Sequence, residues 1–142
     1  MTRLITVLLF IMLASPALCQ IIVSKEKKTA ELACDKIMNL FKDSKFSEAI
    51  DTLKLYSNIE SSGFDNLLAT IKQQMNNATP RFGKMLSYEF IKERSIKDFF
   101  SRRFYVIKFE KYFLEAYFNL YNNGSGWTIT YFGYTQDIED LF

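Results

Sequence analysis

Histidine is absent from the chain, so the side chains able to do chemistry are carboxylates, tyrosines and thiols. The absence removes the commonest general base and the commonest transition-metal ligand. The carboxylates fall into two groups. Glu89, Glu93, Glu110 and Glu115 lie in strand-patterned sequence, interleaved with Lys92, Lys108 and Lys111; Asp137, Glu139 and Asp140 follow near residue 142. Glycoside hydrolysis needs two carboxyls set across a sugar cleft. The first group reads instead as a solvated sheet face. The second lacks the loop spacing and glycine of a calcium site. Tyr88, Tyr105 and Tyr131 share the parity of an apolar face. In an open pocket their hydroxyls would orient a small apolar ligand. In a filled core each would meet the rim or a backbone group. Cys34 sits in the stripe Ala30, Cys34, Ile37, Phe41 and reads as a small core residue. One thiol without histidine makes no zinc site. The residue pattern assigns no catalytic residue, no metal and no cofactor.

These groups must be held by elements whose hydrophobic period changes midway. From Lys25 to Asn77 apolar residues recur every three or four positions, predicting three helices. Ala30, Ala33, Cys34, Ile37 and Phe41 mark the first. Phe46, Ala49, Ile50, Leu53 and Tyr56 mark the second. Phe64, Leu67, Leu68, Ile71 and Met75 mark the third, with Ser62 as its N-cap and Pro80 and Gly83 closing the helical half. From Lys84 the period drops to two. Leu86, Tyr88 and Phe90, then Tyr105, Ile107 and Phe109, then Phe118 and Leu120, then Trp127, Ile129 and Tyr131 mark the inner face of four strands. Asn122 to Gly126 predicts a hairpin. Lys111 to Leu114 holds no turn residue, so a bent strand or a helical turn is expected there. Helices followed by strands predict an α+β fold, three N-terminal helices packed on a curved four-stranded antiparallel sheet.

The opposite face carries Ile91, Phe104, Val106, Tyr117, Tyr121 and Phe132 among charged residues. Aromatics rimmed by charge suggest a covered surface. Homodimerisation through that face is the expectation; another partner and a tolerated semi-apolar surface are the alternatives.

Residues 1–19 read as a signal peptide: Arg3, an apolar run from Leu4 to Leu13, then Ser15-Pro16-Ala17-Leu18-Cys19. The run is shorter than the roughly 20 residues a membrane span needs, so no transmembrane anchor is expected after cleavage. Residues 20–142 then form one exported domain, periplasmic or extracellular. Its formal charge falls from +2 to +1 with the loss of Arg3, which leaves no basic excess for nucleic acid.

The order of elements, with Phe46-Ser47-Glu48-Ala49-Ile50, Gly83, Tyr105-Val106-Ile107-Lys108-Phe109-Glu110 and Gly126-Trp127-Thr128-Ile129 through Gly133-Tyr134, resembles short exported members of the nuclear-transport-factor-2-like (cystatin-like cone) superfamily. The resemblance implies helices wrapped by a curved sheet and dimers formed sheet to sheet. Enzymes of that group place Asp, His or Tyr inside the cone, and no such motif aligns here. The expected function is a non-catalytic binding or interaction module. The alternative is a small-molecule-binding protein or enzyme using an apolar pocket between helices and sheet.

Overall fold

The computed structural model describes residues 22–142, so the expected signal peptide lies outside the described residues. Three helices, α1 (Lys27–Lys42), α2 (Phe46–Tyr56) and α3 (Ser61–Phe82), precede four strands, β1 (Met85–Ile96), β2 (Phe100–Phe109), β3 (Phe113–Asn122) and β4 (Trp127–Thr135). The strands pair antiparallel in chain order in one curved open sheet. The predicted α+β architecture is what the chain adopts.

The helical stripes behave as their spacing requires. Ala30, Ala33, Cys34, Ile37, Met38 and Phe41 of α1 are buried, and Ala49, Ile50 and Leu53 of α2 join them. Asp43, Ser44 and Lys45 turn the chain between the two helices. Their amides bond back to Asn39, Phe41 and Leu40 carbonyls.

Two expectations about α3 are corrected. It starts at Ser61 after an N-cap at Glu60, not at Ser62, and it runs through Pro80 to Phe82. Pro80 lies in the last turn, where only one backbone bond is lost. Gly83 ends the helix at φ 80°, its N–H bonded to Thr79. A side chain there would collide with Glu110, whose carboxylate accepts the Lys84 N–H.

Between β2 and β3 the chain makes a tight turn over Glu110–Tyr112. The Lys111 amide donates to Phe82 O and the Glu110 amide to Lys84 O. The end of α3 supplies what turn-forming residues would otherwise provide.

Three bulges decide which side chains face the helices. Leu86 and Ile91 are extra residues in β1, and Thr130 is extra in β4. An unpaired residue reverses the alternation of everything beyond it. Trp127 and Ile129 enter the core as expected, but past Thr130 the parity inverts. Tyr131 points outward, 47% exposed, and Phe132 points inward, 5% exposed. Phe132 packs on Phe41 and Phe118, with ring centres 5.3 and 4.8 Å away. Both residues therefore exchange the faces expected of them. Leu86 is likewise outside, 59% exposed.

Candidate functional site

The inner face is apolar except at one end. Tyr105, Arg103 and Ser101 follow each other at spacing two on β2, and Glu93 and Ser95 oppose Arg103 and Ser101 on β1. Lys27, Glu31 and Asp35 stand one helical turn apart on α1, above them. Arg103 is 8% exposed and binds in three directions. Its Nη1 lies 2.8 Å from Glu93 Oε2 and 3.8 Å from Glu31. Its Nη2 lies 3.4 Å from Asp35 Oδ1, and its Nε donates to the Tyr105 hydroxyl at 3.1 Å. The Tyr105 hydroxyl donates to Asp35 Oδ1 at 2.6 Å. Lys27 donates to Glu93, and the guanidinium lies 4.4 Å from the centre of the Phe90 ring.

Electrostatics follow from that geometry. Burial works against the charge of Glu93, but hydrogen bonds from Lys27, Ser101 and Arg103 outweigh it and hold the carboxyl below its ordinary range. Burial, then the bond to Asp35, pushes the Tyr105 phenol above its ordinary range. Burial likewise raises the adjacent Cys34 thiol. The phenol and the thiol are thus both held toward their protonated forms, beside a guanidinium with a partner at each nitrogen.

The candidate ligand-binding tyrosines are thus divided. Tyr88 and Tyr105 lie together, ring centres 6.3 Å apart, both donating to Asp35; Tyr88 reaches its main-chain oxygen at 3.3 Å. Their hydroxyls are spent on the protein. Tyr131 is on the other side of the sheet, stacked on Tyr117 at 5.5 Å. The charged residues Arg103, Glu93, Glu31 and Asp35 were not singled out as an inner cluster, and Glu93 was expected on the outer face. The signal existed: Arg103 has the parity of Tyr105 and Ile107.

On the outer face the expected interface residues also part company. Phe104 (1% exposed) and Val106 (9%) are already buried within the chain, and Tyr117 is half-buried; Ile91 and Tyr121 are exposed. The segment after β4 explains part of this. It crosses the sheet, Asp140 3.6 Å from Arg94 and 3.9 Å from Arg102, and the Phe142 main-chain oxygen accepts from Lys92 and Arg94. The ammonium of Lys92 and the guanidinium of Arg94 lie 5.6 Å from the Phe104 ring centre. Beside this strap lies an apolar groove of about 560 Å³, walled by Leu86, Ile91, Val106, Phe109, Tyr112 and Phe113, with Glu89, Lys108 and Lys111 at its rim. Glu89 and Lys108 pair across the strands.

A second groove, about 340 Å³, runs between α3 and β4. Met75, Ala78, Phe82 and Leu114 line it with Arg81 and Tyr134. Burial raises the Tyr134 phenol to about 12, and its hydroxyl donates to Gln74. Among the described residues no group of three acidic, cysteine or histidine side chains is placed to hold a metal ion, and no helix is long and apolar enough to cross a membrane. Compared with known proteins, the chain matches no family model, no curated protein and no solved structure.

Proposed function

We propose that the chain is an exported interaction module, without catalytic activity of its own, that pairs with a second copy through the outer face of its sheet. The observation that carries this is the groove of Leu86, Ile91, Val106, Tyr112 and Phe113. Leu86, Ile91, Tyr112 and Phe113 are each more than a third exposed, on a sheet face of which the chain's own strap covers another part. A twofold interface must be complementary to itself. The rim meets that demand, because it carries Glu89 beside Lys108 and Lys111 and can set each sign against the other in the second copy. Export rests on the pattern of residues 1–19. Kinship with the cone superfamily belongs to the same proposal and is supported by the order of helices and strands.

Light scattering on the eluting protein tests the pairing. A dimer that becomes a folded monomer in Leu86→Glu/Ile91→Glu is the expected result. A parent that stays monomeric at all concentrations, or a variant of unchanged mass, refutes it. N-terminal sequencing of protein recovered outside the cytosol tests export, with Gln20 or Leu18 expected first.

The small-molecule alternative has one observation in its favour, the groove between α3 and β4. Asn77, Arg81, Thr135 and Gln136 offer polar groups there, but the groove has no carboxylate and its one tyrosine hydroxyl already bonds Gln74. Native mass spectrometry would reveal an occupant.

A further inference from the structure

Where the strap leaves β4 it closes a cavity of about 300 Å³ lined by Glu115, Tyr117, Thr135, Asp137, Glu139 and Asp140. Four of the six are acids. Glu115 is 1% exposed, and its Oε2 has no hydrogen-bond partner among the described residues. A buried acceptor without a donor is unfavourable, and in this cavity a positively charged donor would also relieve the mutual repulsion of the acids. The nearby positive groups reach Asp140 and the end of the strap, and none of them donates to Glu115 Oε2. Arg94 and Arg102 contact Asp140, Arg102 also lies 4.9 Å from the centre of the Tyr117 ring, and Lys92 bonds the Phe142 main-chain oxygen.

We propose that this cavity binds a primary ammonium group, the protonated end of an alkylamine. An ammonium brings three N–H donors and one positive charge, so it can satisfy Glu115 and offset the negative charge of the strap acids around it. A bare metal ion fits less well. The space is that of a small organic group, and no three of these acids converge at ligand distance. The cavity shares no lining residue with the outer-face groove, so the proposal is independent of self-association.

The test is an NMR titration of the purified protein with n-butylammonium, with tetramethylammonium and calcium chloride as parallel probes. Saturable shifts of the Thr135, Asp137 and Glu139 amides are expected with n-butylammonium. Tetramethylammonium, which has the charge but no N–H, should leave them unmoved. Glu115→Gln removes the charged acceptor and should weaken n-butylammonium binding by about tenfold or more. Asp137→Asn, at an exposed position, provides a second variant and should weaken binding in the same direction. No saturable shift with n-butylammonium overturns the proposal, as does equal binding by tetramethylammonium or by Glu115→Gln. Tighter binding of calcium at the same amides also overturns it and makes the site a metal site.

Discussion

Arg103 and Glu93 face each other across the β1–β2 pair, Nη1 to Oε2 at 2.8 Å, beneath α1. The contact fixes more than two strands. Arg103 also reaches Glu31 and Asp35, so the same guanidinium ties the sheet to the first helix. Glu93 in turn holds Lys27, at the first residue of that helix. Burying such a network contributes little over an apolar core. What it gives is register, because a shift of β1 by one residue would turn Glu93 away and leave Arg103 buried without its closest anion.

Arg103→Met should therefore destabilise the fold by about 2–3 kcal/mol, somewhat below the ~3–5 kcal/mol typical of breaking a fully buried pair, because the partner acids are partly exposed and regain water. Arg103→Lys should recover only part of the loss, since one ammonium cannot span Glu93, Asp35 and Tyr105 with a rigid fork. Urea denaturation measures both. Equal stability of Arg103→Met and the parent would mean the network adds nothing to the fold.

The same network sets an acid limit. The folded chain holds the Glu93 carboxyl below its unfolded value, so its contribution is present above the ordinary glutamate range, near 4.3. It is lost as the pH falls through the lower folded value. Stability measured from pH 7 downward should decline in the acid range with a shallower slope in Glu93→Gln than in the parent. Parallel slopes would remove Glu93 from the acid response.

The neighbours Tyr131 and Phe132 give a sharp test of the β4 bulge. Phe132→Ala should cost about 3–5 kcal/mol, as for other buried phenylalanines. Tyr131→Ala should stay within about 1 kcal/mol, the range of an exposed residue that loses a stacking partner. A reversed order would restore strict alternation along the strand.

That bulge marks where the sequence stops being legible. The helical stripes and the strand order could be read because each rests on a period repeated over several turns or pleats. Ala30, Cys34, Ile37 and Phe41 are buried as their spacing demands. A bulge is set by how β4 meets β3, and no residue type at Thr130 announces it, so every facing beyond it was inverted. The β2–β3 turn was hidden for a related reason, because its amides bond to Phe82 and Lys84 and not to turn residues. The Arg103 cluster was legible in principle. Ser101, Arg103 and Tyr105 keep the parity of Ile107, and Lys27, Glu31 and Asp35 keep a four-residue step. Charge ordinarily marks a solvent-facing position, and at Arg103 it does not.

Cys34 lies against this cluster, fully buried, its thiol raised by burial and by the nearby acids despite Arg103. The thiolate is the reactive form. In native protein, Cys34 should resist alkylation by iodoacetamide and form no interchain disulfide under air, and it should react once urea unfolds the chain. Rapid labelling of the folded protein at Cys34 would show that the α1 stripe opens.

Glu115 titrates in the opposite sense to Glu93. Burial and the nearby Asp140 and Asp137 raise its carboxyl, against the pull of Lys92 and Arg102. A raised carboxyl binds its proton more tightly in the folded chain than in the unfolded one. Stability therefore falls as the pH rises from the unfolded glutamate value, near 4.3, through the folded value, and stays reduced above it. Glu115→Gln removes the charge while keeping the shape, and its amide can donate to the strap acids. At pH 7 the variant should melt a few degrees above the parent, corresponding to about 1 kcal/mol. The gap should close as the pH falls to about 4, where the parent's own carboxyl is protonated. Saturating n-butylammonium at pH 7 should raise the parent's melting temperature and leave that of Glu115→Gln nearly unchanged. A variant that melts below the parent at pH 7, with a gap that does not depend on pH, would mean that the Glu115 carboxylate is already satisfied in the folded chain.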